Sequence, residues 1–253
     1  MSKQGILVAI PVFNEIDVYT IIRKVRKFPL DILVIDDGST NDLCEQLIDI
    51  NGIHVITHKR NLGYGKTIID AFRFAIQHGY EYLLTIDGDG QHEPEEISLF
   101  LNEIPSYDYD ILSGSRYFPN TRVNQGVPPD RYRINKEITG ILNRITGYNL
   151  TDAFCGFKAY KVKQLKLLHL TEHGYGMPLQ FWIQAWRIGL RVKEIPVTLI
   201  YKDLTKRFKG ILEDPETRLC YYKNIIEKAL ACTRQVSIQE QAIKKKISFN
   251  SIR

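Results

Sequence analysis

The sequence predicts an α/β fold: a central, mostly parallel sheet with helices on both faces. Three observations carry this prediction. Short apolar runs alternate with stretches of helical periodicity through the first half of the chain, the rhythm of strand–helix–strand units with right-handed crossovers. The runs are rich in Val, Ile and Leu and bounded by turn residues, as buried strands are. Acidic and polar clusters recur directly after the runs, where ligands bind in open parallel sheets.

The predicted strands of the first half are Gly5–Ile10, Ile32–Ile35, His54–Thr57 and Tyr82–Ile86. Between them, Asp17–Lys27, Asn41–Ile50 and Tyr64–His78 fit helices, and Gly79 follows the last as a helix stop. A helix from about Pro94, a good first-turn residue, leads to a fifth strand at Asp110–Ser113. Tyr117 to Pro129 holds three prolines and Gly126 and reads as a loop. The helix after it carries Ile134, Ile138, Ile141, Leu142 and Ile145 as one stripe, with Arg131, Arg133, Lys136 and Arg144 at its start and sides. Leu179–Ile188 reads as a helix and Arg191–Ile195 as a strand. Tyr201 to Asp214 has mixed charges and little periodicity, a loop. A last helix runs from Pro215 to about Thr233 with Leu219, Tyr222, Ile226 and Leu230 on one face, a core stripe, and a polar, basic tail follows from Gln235.

Hydrophobic residues make up 44% and charged residues 25% of the 253 residues, enough apolar material for one sizeable core. The formal net charge of +5 is only mildly basic, with no lysine–arginine block dense enough for nucleic acid. Cys44, Cys155, Cys220 and Cys232 form no C-x-x-C pair and read as reduced packing thiols of a cytoplasmic protein. The histidines lack metal-ligand spacing. No stretch approaches about 18 apolar residues, so any encounter with a membrane would be peripheral.

The motifs at the strand ends are Pro11-Val12-Phe13-Asn14-Glu15, Asp36-Asp37-Gly38-Ser39-Thr40-Asn41-Asp42 and Asp87-Gly88-Asp89-Gly90-Gln91-His92. Carboxylates in the first two can accept hydrogen bonds from a ribose or a base; a turn followed by a helix cap explains the second equally well. In the third, two carboxylates one residue apart can reach one divalent cation, and hard oxygen ligands suit magnesium or manganese. Gly65-Lys66-Thr67 looks like the tail of a phosphate-binding loop, but Arg60 stands where that motif requires glycine. Gly63 and Gly65 instead predict a close approach to a nucleotide at a helix start.

Taken together, Val8 to Glu15, Val34 to Ser39, Asn61-x-Gly63-x-Gly65 and Asp87-x-Asp89-x-Gln91 resemble the family 2 glycosyltransferases of the GT-A fold. Gly114-Ser115-Arg116-Tyr117, the arginines near Arg131, Thr151-Asp152-x-x-Cys155-Gly156-Phe157 and Glu194-Ile195-Pro196-Val197 resemble the dolichyl- and polyprenyl-phosphate sugar synthases within it. The resemblance implies one domain over 1–235, with a nucleotide-sugar half (1–115) and an acceptor half (116–235), and a tail at 236–253. It implies a donor site at Pro11, Asn14, Glu15, Asp36, Asp37, Gly63, Gly65, Asp87 and Arg207. Magnesium or manganese would sit at Asp87, Asp89 and Gln91. Arg116 and Arg131 would meet the acceptor phosphate, the cluster Arg131-Tyr132-Arg133 leaving open which arginine does so. The implied reaction is inverting transfer of a sugar, of the GDP-mannose or UDP-glucose type, to a polyprenyl phosphate on the cytoplasmic membrane face. The alternative acceptor is a saccharide hydroxyl, with Asp152 as general base.

Overall fold

A computed structural model of the chain describes residues 5–15, 18–41, 52–104, 108–119, 127–200 and 210–250, with side chains described up to residue 232. Seven strands form one sheet: β1 (Ile6–Val12), β2 (Asp31–Asp36), β3 (Ile53–Thr57), β4 (Tyr82–Thr85), β5 (Ile111–Ser115), β6 (Lys158–Lys161) and β7 (Val192–Pro196). Their spatial order is β3-β2-β1-β4-β6-β5-β7. The first four are mutually parallel, β5 and β7 pair parallel, and β6 runs antiparallel to both β4 and β5.

Alternation along each strand divides the core in two. Leu7, Ala9, Leu33, Ile35 and Leu83 face one way, against helices α2 (Tyr64–Gln77), α4 (Pro129–Thr146), α6 (Met177–Arg187) and α7 (Pro215–Asn250). Val8, Ile10, Val34 and Leu84 face the other way, against α1 (Val18–Val25) and α3 (Ile97–Glu103). With both faces covered, the central strands carry no polar alternation. Trp182 of α6 is fully buried, and its indole N–H donates to the Ala153 carbonyl at 2.9 Å, fastening α6 beneath the 151–157 segment.

Several predicted bounds shift. Pro11 and Val12 belong to β1 rather than to the loop after it. The β1–β4 ladder ends at the Ala9–Thr85 pair, and the Pro11 carbonyl accepts from the Gly88 N–H beyond that end at 3.2 Å. A proline lacking an N–H is tolerated there because no ladder bond is lost. Pro94 opens a short 3₁₀ turn and the α-helix begins at Ile97. The last helix continues past Thr233 and through the predicted tail to Asn250. Three elements were not predicted: β6, the single-turn helix α5 (Val162–Leu165) and a short 3₁₀ turn at Gly210–Leu212. The predicted helix at Asn41–Ile50 lies outside the described residues beyond Asn41, as does most of the Tyr201–Asp214 loop. Among the described residues, no helix is long and apolar enough to cross a membrane.

Candidate active site

The sheet order reverses at β1, which has β2 on one side and β4 on the other; the crevice between their carboxyl ends is the expected ligand site. Two loops meet above it. Asn14, at φ 55°, receives no support from regular structure. Its N–H donates to Ser39 Oγ at 2.8 Å and its Oδ1 accepts from the Thr40 N–H at 2.9 Å, tying the loop after β1 to the loop after β2. Asp36, buried at the end of β2, accepts from the Ser39 N–H at 2.9 Å.

Asp37 is differently employed. It is 3% exposed, and its Oδ1 accepts from the Leu62 N–H at 2.8 Å while Oδ2 accepts from the Gly63 N–H at 2.9 Å. His58 Nδ1 lies 2.7 Å from Oδ1, and His58 Nε2 lies 2.9 Å from Asp70 Oδ2. Through these bonds Asp37 fixes the 58–63 loop to the end of β2. Gly63 and Gly65 are reassigned. A Cβ on either would overlap the backbone carbonyls of the 172–174 segment, so the close approach they allow is to this chain's own backbone.

Asp87 and Asp89 follow β4. Asp87 Oδ1 accepts from the Tyr64 hydroxyl at 3.1 Å, and Asp89 Oδ1 accepts from the Gln91 N–H at 3.0 Å. Burial and then the neighbouring Asp89 charge push the Asp87 carboxyl up to about 7, against the pull of Arg116, Tyr64 and Lys158. A Cβ at residue 156 would fall on the Asp87 carboxylate, so Gly156 makes room for it. Two carboxylates forced together, one paying a desolvation cost, suit a hard divalent cation. Among the described residues no three His, Cys, Asp or Glu side chains are grouped to hold a metal. Asp87 and Asp89 are the carboxylates at this strand end that could face a cation, and Gln91 is tied to Asp89 through its backbone N–H.

Arg116 and Asp152 form a buried pair. Arg116 Nε donates to Asp152 Oδ2 at 2.6 Å and Nη2 to Oδ1 at 3.0 Å; Asn135 Nδ2 and the Phe154 N–H also donate to Oδ1, at 2.7 and 3.1 Å. Asp152 is 0% exposed. Burial alone would raise its carboxyl, yet the Arg116 charge and these bonds hold it well below the usual carboxylate range. Asp152 is thus held ionised and engaged in the ion pair, which favours a positioning role over that of a general base tuned near the operating pH. Glu194 of β7 steadies the pair by accepting from the Thr151 and Asp152 N–H groups at 2.8 and 3.1 Å. Arg131 is half-buried at the start of α4, whereas Arg133 is exposed and ion-paired to Glu216 of α7. Arg207 lies outside the described residues.

Three further groups of the site escaped prediction. Lys158 of β6 is buried, donates to the Cys155 carbonyl and lies 5.6 Å from the Trp182 ring; burial lowers its pKa. His92 Nε2 stands 3.9 Å from Asp87 Oδ2, and burial and Arg116 push that ring down to about 3. Tyr64 sits between the glycines of its motif, and only its hydroxyl's reach to Asp87 reveals a role.

The model of Glycosyl transferase family 2 matches residues 7–168. The chain is a family 2 glycosyltransferase. An undecaprenyl-phosphate mannosyltransferase of Micrococcus luteus is 30% identical over 209 residues, 79% of this glycosyltransferase and 85% of the relative. A polyprenol monophosphomannose synthase of Mycolicibacterium smegmatis is 30% identical over 212 residues, 79% of each chain. Among solved structures, glucosyl-3-phosphoglycerate synthase of Mycobacterium tuberculosis, in complex with Mn2+ and UDP, superposes with a TM-score of 0.64 at 16% identity, covering 89% of this chain and 78% of that one. The glycosyltransferase therefore has the GT-A fold that its motifs predicted.

Proposed function

We propose that this glycosyltransferase moves a hexose from a nucleoside-diphosphate sugar, of the GDP-mannose or UDP-glucose type, to a polyprenyl phosphate at the membrane surface, with inversion. The observation that carries this reading is the buried Arg116–Asp152 pair. A sugar hydroxyl needs a base to take its proton, and Asp152, the base that acceptor would require, is locked and strongly acidic. A phosphate monoester, with its second pKa near about 6, is already largely a dianion at neutral pH and needs positioning alone. The two relatives named above carry polyprenyl-phosphate or polyprenol acceptors in their names, which agrees.

In this reading residues 1–115 hold the donor and residues 116–235 the acceptor. Asp87, Asp89 and Gln91 would hold magnesium or manganese, which supplies stabilisation of the negative charge developing on the departing diphosphate. Tyr64 orients Asp87 through its hydroxyl, and Gly156 leaves the carboxylate space. Asn14 and Asp37 fix the loops around the nucleotide. Arg131, at the start of α4, meets the lipid phosphate, for which a guanidinium fork is well matched. The test is transfer of labelled sugar from UDP- and GDP-sugars into polyprenyl phosphate with Mn2+ or Mg2+. A solvent-extractable product that disappears with EDTA is expected. Donor turnover that yields product only on a saccharide would replace the lipid acceptor.

A further inference from the structure

The segment 172–177, between β6 and α6, is gripped from two sides. On one side the carbonyls of Glu172, His173 and Gly174 lie against Gly63 and Gly65 at the start of α2, and His173 O accepts from the Lys66 N–H at 3.1 Å. On the other, a Cβ on Gly174 or Gly176 would crowd the Tyr221 hydroxyl, and one on Gly176 would also strike Ile225, both of α7. The Tyr221 hydroxyl donates to Glu172 Oε1 at 2.7 Å. Four glycines thus let this backbone sit in a slot too narrow for side chains. The one large side chain at its centre is Tyr175, which is 48% exposed. Its ring lies along Tyr64, centroids 6.1 Å apart and planes within 14°. After burial, the charges of Asp87, Asp37, Asp89 and Glu15 all raise its hydroxyl's pKa, Asp87 foremost. The Tyr64 hydroxyl donates to Asp87 Oδ1 at 3.1 Å, so Tyr175, stacked on Tyr64, stands beside Asp87 at the end of the site where the diphosphate and sugar of the proposed donor would lie.

We infer that Tyr175 is a donor-binding residue, whose ring, braced by Tyr64 and held by the glycine-lined slot, packs against the transferred sugar. This rests on the proposed nucleotide-sugar donor. An aromatic ring offers a flat apolar face to the C–H face of a pyranose at low entropic cost. Placed on the sugar and not on the nucleoside, the ring would discriminate a nucleotide sugar from the bare nucleotide.

The experiment is calorimetric titration of UDP, UDP-glucose, GDP and GDP-mannose, with Mn2+, into the full chain and its Tyr175→Phe and Tyr175→Ala variants. The nucleotide that the unaltered chain prefers serves for comparison. Tyr175→Ala is expected to weaken the nucleotide sugar about 10-fold, on the scale of one aromatic contact, while the matching diphosphate changes less than about 2-fold. Tyr175→Phe should keep the affinity for both. Equal losses for sugar-bearing and bare nucleotide would overturn the assignment, because the ring would then serve only to shape the pocket. No loss would overturn it as well. Should Tyr175→Ala prove unfolded by circular dichroism, Tyr175→Leu, which keeps apolar bulk without a flat face, takes its place under the same two outcomes. Failure of the unaltered chain to bind any of the four would remove the proposed donor itself, a result distinct from a flat response to substitution.

Discussion

Replacing Asp87 by Asn should make the metal-free protein more stable at high pH while abolishing transfer. In the folded chain the Asp87 carboxyl holds its proton up to about pH 7, whereas its ordinary value is 3.8. Folding with that group ionised therefore costs free energy. At about 1.4 kcal/mol per pH unit, the full cost above pH 7 approaches about 4 kcal/mol, and at pH 5 it is about 1.6 kcal/mol. The side chain is 23% exposed, and solvent reduces these figures; a gain of about 2–3 kcal/mol at pH 8.5 and about 1 kcal/mol at pH 5 is expected. The sign follows from proton binding: over the window from about 4 to 7 the folded state keeps a proton that the unfolded state releases, so stability falls as pH rises. Asn does not titrate but still offers Tyr64 an acceptor oxygen, and groups remote from Asp87 cancel between the two proteins. Urea unfolding in EDTA at pH 5 and pH 8.5 measures the difference directly. Adding Mn2+ should then raise the midpoint of the unaltered protein and leave that of Asp87→Asn in place. A stability difference that is the same at both pH values, or a variant less stable at pH 8.5, would refute the account of Asp87 as a carboxylate held at an energetic cost.

Other substitutions test the frame around the site. Arg116→Leu strands the Asp152 carboxylate at 0% exposure and should cost about 3–5 kcal/mol in urea unfolding, with Arg116→Leu/Asp152→Leu recovering much of the loss; a loss under about 1 kcal/mol would mean the pair is not buried as described. Gly156→Ala drives a methyl group into the Asp87 carboxylate and should lower the unfolding free energy by about 1–3 kcal/mol, as overpacking does, with transfer falling further than stability accounts for. His58→Ala removes the link from Asp37 to Asp70 and should speed amide exchange at Leu62 and Gly63 above all other sites, by roughly 10-fold for a contribution of about 1.4 kcal/mol.

The first half of this fold was readable because its strands are unbroken apolar runs: Leu7 to Ile10, Ile32 to Ile35 and Leu83 to Ile86 carry no polar residue except Thr85. β6 was not, since Lys158-Ala159-Tyr160-Lys161 begins and ends on lysine, and both lysines are buried in the sheet's centre by tertiary partners that no local pattern encodes. The site divides along the same line. Asp87 and Asp89 announce themselves by spacing, and Asn14 by its place after β1. The backbone partners of Asp37, Gly63 and Gly65 could not be foreseen, because they lie 25 or more residues away, and a carboxylate that holds N–H groups has the same letter as one facing a ligand. The partners of Asp152 were hidden for a related reason: its motif position suggests chemistry, while its burial beside Arg116 and Asn135 is set by residues 17 and 36 positions away.

The placement of β6 has a consequence for how the protein is made. The edge of β4 that β6 covers belongs to the strand carrying Asp87 and Asp89 at its end, yet β6 is synthesised more than 70 residues later. Until Lys161 has left the ribosome, the edge of β4 that faces away from β1 lacks its partner, and an uncovered strand edge is a template for wrong pairing. The family match, residues 7–168, includes β6 and the single-turn α5 after it. A chain truncated after Ser115 retains Asp36, Asp37, Asp87 and Asp89 but has lost Gly156, Lys158 and the strand that shields them, and translation pausing before residue 158 would prolong the exposure of that edge.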